Sequence, residues 1–325
     1  MNDRALKVLE QYDLEVTGTR RGRGSYILDT PQGLRILCDY TGSENKALFQ
    51  NCVMRRLREG GYEKVDLLLP NREGGLISRD WEENKYVVKE WYAGRECDTA
   101  NENEIMAAVG NLARLHRLMT LAGETEFRAS FTAQAPSCEL SAQNAELRKI
   151  RSYVRKKNAK GDFERMFLNC FQKYYAQAEE AEQILAGNEE WAVPCASGTV
   201  CHGDYNHHHV LMSGYDIATT NFECCRFDYQ VTDLYRFMRK ILEKHGWNQR
   251  LGMRMLENYV RVRPLPARER RLLYVRLLYP EKFRKLANYY YGSNKAWISR
   301  RFLDKLEKLN AQEEARNKFV KLLEK

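Results

Sequence analysis

Two kinds of hydrophobic pattern divide the chain. Residues 14–38 hold short apolar runs separated by glycine-containing turns, a pattern that predicts an antiparallel meander. A helical period follows over residues 44–59, with Leu48, Phe49, Cys52, Val53 and Leu57 on one face, and Gly60 and Gly61 stop this helix. Further β runs are predicted near 65–69, 76–77 and 86–88. The strands predicted before the helix are Leu14–Val16, Tyr26–Thr30 and Leu34–Cys38, with a turn over Arg20–Ser25.

From about residue 100 the pattern becomes mostly helical. Ile105–Met119 has a strong period of 3.6, and residues 140–187 predict one or two long helices broken near Gly161. Helices also fill 231–260 and 266–325, while a loop and short strands interrupt the helical pattern around 199–222. We therefore predict an α+β fold with a small lobe of sheet plus helix over 1–92 and a larger, mostly helical lobe over 93–325. This is the layout of two-lobed kinase-like folds.

Composition excludes several classes of protein. The 325 residues are 30% charged and 43% hydrophobic, which is an ordinary globular balance. No apolar run approaches the roughly 20 residues that span a bilayer, and the acidic, amphipathic N-terminus has no apolar core of a secretory signal. We therefore expect cytoplasmic synthesis without a signal peptide and no membrane partner. The nine cysteines include no CxxC pair, so reduced thiols are favoured over a zinc or disulfide framework.

The excess of basic over acidic residues is confined to the C-terminal part of the chain. The net charge is +9, and residues 261–325 alone hold 18 basic and 7 acidic residues. These charges interleave with apolar residues at helical spacing, as solvated faces of packed helices do. The pattern favours packed helices over a nucleic-acid-binding surface.

The segment with the clearest chemistry is the loop of residues 199–212, where a β run leads into His202-Gly203-Asp204. It resembles the catalytic loop of the aminoglycoside and choline phosphotransferases, written H-G-D-x-x-x-x-N. The resemblance implies that Asp204 is the catalytic base and that His202 braces the loop. The position of the metal-binding Asn is His209. Phosphoryl transfer requires an oriented nucleophile and neutralised phosphate charge.

A second metal ligand belongs downstream, in a pattern such as I-D-F-E before a helix that starts with Asp-Leu. The matching stretch is Thr219–Glu223, followed by Asp233-Leu234, and the metal-binding Asp is replaced by Asn221. A neutral amide is a weaker ligand than a carboxylate for a hard dication.

The small lobe departs from the same pattern. The phosphate-binding Lys of the strand after the glycine turn falls at Cys38, and the helix at 44–59 has no Glu in its middle. Gly22 and Gly24 lie in a turn that could approach phosphate. If a nucleotide cleft is present, its adenine would contact backbone groups at Glu90, Trp91 and Tyr92.

The whole chain resembles the CotS-type spore coat proteins of endospore-forming bacteria, within the aminoglycoside/choline phosphotransferase-like superfamily. The stretch 86–96 is similar to their hinge pattern Y-V-L-x-x-W-I-x-G-R-E, and Leu115-His116 ends a similar helix. Their C-terminal signature is matched at 278–283, at 288–291 and at Lys295-Ala296-Trp297. The resemblance implies a location in the spore coat and other coat proteins as partners.

Two functions follow from these residues, and a third site hypothesis stays open beside them. The leading interpretation is a catalytically degenerate pseudokinase used in coat assembly or binding, for which no cofactor is expected. The alternative is an active phosphotransferase that uses ATP and Mg²⁺ on a small-molecule or coat-component hydroxyl, with Asp204 as base and with His209 and Asn221 as metal ligands. The cluster His207-His208-His209 could instead hold a transition metal.

Overall fold

The computed structural model describes residues 3–121, 123, 125–214, 216–292 and 300–324. The predicted signature Lys295-Ala296-Trp297 lies outside these residues. Within them, no helix combines the length and the apolar character that crossing a bilayer requires.

Strands and helices follow the α+β class predicted from the sequence. A 3₁₀-helix at Asp3–Gln11 precedes the first strand. The strands are β1 Gly18–Gly22, β2 Ser25–Thr30, β3 Gly33–Asp39, β4 Ser78–Arg79, β5 Lys85–Glu90, β6 Arg95–Glu96, β7 Val200–Cys201, β8 Val210–Ser213, β9 Asp216–Thr219 and β10 Arg226–Phe227. The helices are α1 Glu44–Glu59, α2 Glu102–Leu118, α3 Thr125–Phe131, α4 Pro136–Lys156, α5 Asp162–Ala186, α6 Val231–Lys244, α7 Gln249–Val262, α8 Ala267–Leu278, α9 Glu281–Gly292 and α10 Arg300–Leu322.

The chain divides into two compact units, each built from several stretches of sequence. The first unit contains the candidate site and consists of Met1–Phe131, Ser197–Arg236 and Asn258–Arg263. The second consists of Thr132–Ala196, Phe237–Glu257 and Pro264–Lys325. The predicted lobe boundary between residues 92 and 93 stays a prediction.

The main sheet of the first unit is antiparallel, with strand order β1-β2-β3-β5-β4. Gly22 pairs with Ser25, so the β1–β2 turn consists of two residues, Arg23 and Gly24, and Gly24 has φ +68°. The predicted six-residue turn was therefore too long, because β1 continues through Arg20 and Arg21. The strand predicted at 14–16 was wrong, since those residues belong to no strand and β1 begins at Gly18.

Helix α1 has the predicted bounds. The Ser43 hydroxyl accepts a hydrogen bond from the Lys46 amide at its start, and the Gly60 amide donates to the Arg56 carbonyl at its end. One predicted core residue was misplaced, because the Leu48 side chain is 53% exposed. The buried positions are Ala47, Phe49, Gln50, Asn51, Val53, Met54 and Leu57.

The segment predicted as a strand at 65–69 pairs only at isolated positions. Val65 forms a bridge with Thr219, and Leu68 forms one with Lys89. The segment thus connects the main sheet to the β8–β9 hairpin. This hairpin and the β7–β10 pair flank the loop that carries Asp204.

The second unit is helical and has an aromatic core. Phe283 of α9 stacks on Phe167 of α5 with ring centroids 5.2 Å apart and on Tyr174 at 4.6 Å. The break that the sequence predicts near Gly161 separates α4 from α5. The helix predicted over 231–260 is in fact interrupted between α6 and α7. Gly246 and Trp247 in this interruption both have φ +59°.

Candidate functional site

The His-Gly-Asp loop starts directly after β7, with His202 fully buried. The His202 Nε2–H donates to the Thr220 carbonyl at 3.0 Å, and Nδ1 accepts from the Asp204 amide at 3.3 Å. Burial lowers the pKa of His202 to about 4. A neutral ring with one donor and one acceptor satisfies both contacts, so His202 braces the loop as a neutral side chain.

Asp233, at the start of α6, holds the same loop by accepting hydrogen bonds from its backbone amides. Its Oδ2 accepts from the His202 amide at 2.6 Å and its Oδ1 from the Gly203 amide at 3.0 Å. His116 Nε2 lies 3.3 Å from Oδ2, and His116 Nδ1 lies 2.7 Å from the Tyr259 hydroxyl. Burial raises the pKa of Asp233, but the hydrogen bond and charge of His116 outweigh it and hold the pKa at about 2. His116 is thus a buried residue that is hydrogen-bonded through both ring nitrogens.

Gly203 has no room for a side chain. Its φ is +84°, and a Cβ built there would lie 1.9 Å from the Cys224 carbonyl oxygen. The Arg236 guanidinium donates to the Gly203 carbonyl. The loop is therefore pressed against the turn that follows Asn221 by a contact that only glycine permits.

Asp204 is the predicted base, and its side chain is 41% exposed. The Asp204 Oδ2 lies 3.6 Å from His209 Nδ1. The Asp204 carbonyl accepts from the Asn206 amide group and from His209 Nδ1–H, both at 2.9 Å. The sequence patterns did not predict a role for Asn206. It caps the 3₁₀ turn of His207–His209 by accepting from the His208 amide at 2.9 Å.

The two positions predicted to hold the metal are bonded to each other. His209 Nε2 and Asn221 Nδ2 are 3.0 Å apart. Since His209 Nδ1–H donates to the Asp204 carbonyl, Nε2 is an acceptor and the Asn221 amide is its donor. Asn221 has φ +67°, and its backbone amide donates to Asp66 Oδ2 at 2.8 Å. The Asn221 side chain is thus already engaged with His209 at this point.

These residues do not fit Mg²⁺. That ion takes oxygen ligands in an octahedral shell, usually with one or two carboxylates. Here the two positions are an imidazole and an amide that satisfy each other. Among the described residues, no group of three or more His, Cys, Asp or Glu side chains is placed to hold a metal ion.

A lysine that the sequence reasoning missed lies beside this pair. Lys89 of β5 is 4% exposed. Its Nζ is 2.7 Å from Glu223 Oε1 and 3.7 Å from Asp66 Oδ2. Burial lowers the pKa of Lys89, but the two carboxylates outweigh it and raise the pKa above its usual value. Burial raises the pKa of Asp66 to about 6.

Cys38 lies on the same face of the sheet as Lys89. Cys38 pairs with Val87 and Ile36 pairs with Lys89, so the two side chains come from alternate positions of neighbouring strands. Burial raises the pKa of the Cys38 thiol to about 11, so it is neutral. The ammonium group of this face therefore comes from β5 and not from β3. In the sequence, the feature that could have identified Lys89 is its place directly after the apolar run 86–88.

Helix α1 contributes a buried amide, Gln50, beside Tyr40. The Tyr40 hydroxyl donates to Gln50 Oε1 at 3.3 Å, and Gln50 is 1% exposed. Burial, aided by the charge of Glu223, raises the pKa of Tyr40. The ion-pair partners of Lys89 in the described part of the chain are Glu223 and Asp66, neither of which belongs to α1.

In the predicted adenine-binding stretch, the Glu90 and Tyr92 side chains bond to other residues of the protein. The Glu90 carboxylate forms a two-point ion pair with the Arg58 guanidinium, one arm of which is 3.1 Å long. The Tyr92 hydroxyl donates to the Val65 carbonyl at 2.9 Å.

Backbone donors of the same stretch are also in use. The Glu90 amide donates to the Leu67 carbonyl at 2.9 Å, and the Trp91 amide donates to the Leu34 carbonyl at 3.0 Å. An adenine ring could not use these two donors without breaking these two hydrogen bonds.

The glycine turn is separate from the rest of the candidate site. Gly24 has open space around its Cα, and a Cβ on Gly22 would lie 2.6 Å from the Ser25 hydroxyl. No contact between this turn and Lys89 or Asn221 is present among the described residues. The structure thus joins Asp204, His209, Asn221, Asp66, Lys89 and Glu223 in one chain of contacts, and leaves Gly22 and Gly24 outside it.

The histidine cluster does not converge. The His207 and His208 rings are 3.9 Å apart, and His208 Nδ1 lies 2.5 Å from Glu96 Oε2. His209 is turned towards Asn221 instead. The His208 and His209 rings therefore do not aim at a common point.

Fold and loop together define a kinase-like fold of the aminoglycoside phosphotransferase type. An aminoglycoside phosphotransferase from Alicyclobacillus acidocaldarius superposes with a TM-score of 0.83 at 19% identity, covering 98% of this chain and 95% of that one. The AMP-bound spectinomycin phosphotransferase APH(9)-Ia superposes with a TM-score of 0.68 at 10% identity, covering 98% and 96%. At these identities the likeness shows the fold.

The chain belongs to the family described as "Spore coat putative kinase YutH", whose model matches residues 6–323. The endospore coat-associated protein YutH of Bacillus subtilis (strain 168) is 31% identical over 138 residues. That match spans 41% of this chain and 40% of the relative. The resemblance to spore coat proteins with an aminoglycoside phosphotransferase-like fold is confirmed.

Proposed function

We propose that this chain is a pseudokinase of the spore coat, which acts in coat assembly or binding and not in phosphoryl transfer. The observation that carries the proposal is the hydrogen bond between His209 Nε2 and Asn221 Nδ2, 3.0 Å long. The two positions that would hold a metal ion satisfy each other, and neither is a carboxylate. The triphosphate of a nucleotide would meet no bound dication there.

The charge around Lys89 supports the same function. An ammonium group that binds phosphate must be available to it, but this one is 4% exposed and paired with two carboxylates. Glu223, Asp66 and Lys89 together carry one net negative charge when all are ionised, which repels a polyphosphate.

One observation favours the alternative of an active phosphotransferase. Lys89 is an ammonium group on the face of the sheet where Cys38 replaces the usual lysine, and Asp204 is retained and partly exposed. If a nucleotide drew Lys89 away from Glu223, a cation and a base would both be present. This alternative requires the protein to bind ATP.

Thermal unfolding with and without ATP and Mg²⁺ separates the two functions. A ligand that binds only the folded state raises the melting temperature, by an amount that grows with the ratio of ligand concentration to Kd. We expect no shift at millimolar ATP–Mg²⁺. The amicoumacin kinase solved with AMP-PNP and Ca²⁺ is a suitable positive control, since it has the same fold with a TM-score of 0.62.

A Mg²⁺-dependent shift, together with ATP hydrolysis or transfer that Asp204→Ala abolishes, would establish the active enzyme and overturn the pseudokinase. A shift with nickel or zinc alone would instead revive the histidine metal site.

The location in the coat is a proposal with its own test. Family membership supports it, as does the coat-associated relative. A fluorescent fusion expressed during sporulation should form a ring around the forespore and should purify with coat fractions, together with other coat proteins. Uniform fluorescence in the mother cell would contradict the location.

A further inference from the structure

We propose that the outer face of α1 binds a peptide segment of another protein, one that presents an apolar side chain close to a carboxylate. The surface is a groove, here called the α1 groove, with a volume of about 440 Å³. It lies on the side of α1 away from Gln50 and the candidate nucleotide site. The inference rests on the geometry of this groove and goes beyond the proposed pseudokinase function.

The end of the α1 groove nearer the start of α1 carries an exposed leucine. Leu48 of α1 lines it and is 53% exposed, and Leu76 and Leu121 line it from the facing loops. A single exposed leucine is ordinary on a protein surface. An exposed leucine in a groove that two further leucines also line is different, because an apolar side chain placed in the groove buries apolar surface.

The other end of the groove is basic. Arg55 and Arg56 of α1 line it together with Glu59. Arg56 and Glu59 are 3.6 Å apart, so these two charges compensate each other. Arg55 has no acidic partner among the described residues. Its guanidinium is therefore available to a carboxylate, which it can bind through two parallel hydrogen bonds.

The distance between Leu48 and Arg55 along the groove suits a short extended peptide. Leu48 and Arg55 are seven residues apart on α1, which corresponds to about 10 Å along the helix axis at 1.5 Å per residue. An extended peptide rises about 3.3 Å per residue, so three or four residues span the distance. A segment whose leucine-like and acidic side chains are about three or four residues apart matches this spacing.

Fluorescence polarisation with three labelled hexapeptides tests the proposal on the full chain. The probe Gly-Leu-Leu-Ser-Glu-Asp carries both features. A second peptide replaces its two acids by lysines, and a third replaces its two leucines by serines. We expect the first to bind at least about fivefold more tightly than either of the others, and to weaken when salt is raised.

Three variants locate the binding. Leu48→Ser and Arg55→Glu should each weaken the first peptide about five- to tenfold, and Arg55→Glu should improve the lysine peptide. Arg250→Glu makes the same charge change at an exposed arginine of α7, outside the groove, and should leave all three affinities unchanged. Circular dichroism and melting temperature verify that each variant is folded.

Absence of binding by the acidic apolar peptide would overturn the proposal, as would equal binding of the lysine peptide or an equal loss in Arg250→Glu. Concentration-dependent self-association of the wild type that Leu48→Ser abolishes would show that a second copy occupies the groove, which also overturns it. An ATP–Mg²⁺ thermal shift would revise the proposed pseudokinase without touching these outcomes.

Discussion

Lys89 is the residue whose environment departs most from what its side chain prefers in water. It is 4% exposed and compensated by Asp66 and Glu223. Removing one partner of a buried ion pair leaves the other charge without compensation, which is far more costly than the net contribution of the intact pair. In this protein two carboxylates would be affected at once.

We expect Lys89→Met to lower the free energy of unfolding by about 3 kcal/mol, since an uncompensated buried carboxylate remains. The measurement is urea unfolding followed by fluorescence and circular dichroism. Lys85→Met is the matched control, because Lys85 lies on the same strand and its ammonium donates to the Gly42 carbonyl at 3.1 Å, a neutral acceptor. A loss of about 1 kcal/mol is expected for it. Equal losses in both variants would contradict the buried ion cluster.

His202 makes stability depend on pH. Burial lowers its pKa from 6.5 to about 4, so between these values the unfolded chain binds more protons than the folded protein. The free energy of unfolding therefore decreases as pH falls from about 6.5 towards 4, by up to about 3 kcal/mol from this group.

Denaturant titrations at a series of pH values for the wild type and for His202→Gln measure this contribution. The glutamine amide offers a donor and an acceptor but does not titrate, so the variant should show a shallower slope in this window. An unchanged slope would exclude His202 as its source.

At the scale of elements, the contact between the catalytic-type loop and the turn after β9 depends on Gly203. A Cβ there would collide with the Cys224 carbonyl at 1.9 Å, and φ is +84°. Gly214 has φ +61°, but a Cβ added to it would meet no described atom within 4 Å, so it isolates the backbone cost alone.

We expect Gly203→Ala to lower the free energy of unfolding by about 3 kcal/mol or more, because backbone atoms must move. Gly214→Ala should cost about 1 kcal/mol, which is the penalty of a left-handed conformation. Melting temperatures of the two variants provide the comparison. Similar losses would mean that the loop adapts freely to a side chain at position 203.

At the scale of the molecule, the first compact unit is discontinuous in sequence. Thr219 of β9 joins Tyr62 and Asn111 in a buried hydrogen-bond network at 2.8–3.0 Å. Glu223 pairs with Lys89 across a similarly long stretch of chain. The segment 197–236 is therefore part of the same compact unit as the N-terminal sheet.

A fragment of residues 1–92 should consequently fail to fold into a stable structure. It would retain Lys89 and Asp66 but lack Glu223 and the amide of Asn221, which bonds to Asp66. We expect poor dispersion in its amide NMR spectrum and no cooperative thermal transition, in contrast to the full chain. A cooperative transition would support residues 1–92 as an independent lobe.

The sequence by itself determined the class of fold, helix α1 and the family. These features depend on local period, on caps and on contiguous motifs, all of which can be read within a short window. The sequence motifs also showed that Cys38, His209 and Asn221 stand where the phosphotransferase pattern has Lys, Asn and Asp.

Only the tertiary structure decided what the replacements do. Asp66, Lys89 and Glu223 come from three distant segments, and no period or spacing relates them before the chain folds. Likewise, His209 and Asn221 look like two defective ligands in the sequence, but in the folded protein they are partners, because burial requires each polar group to find one.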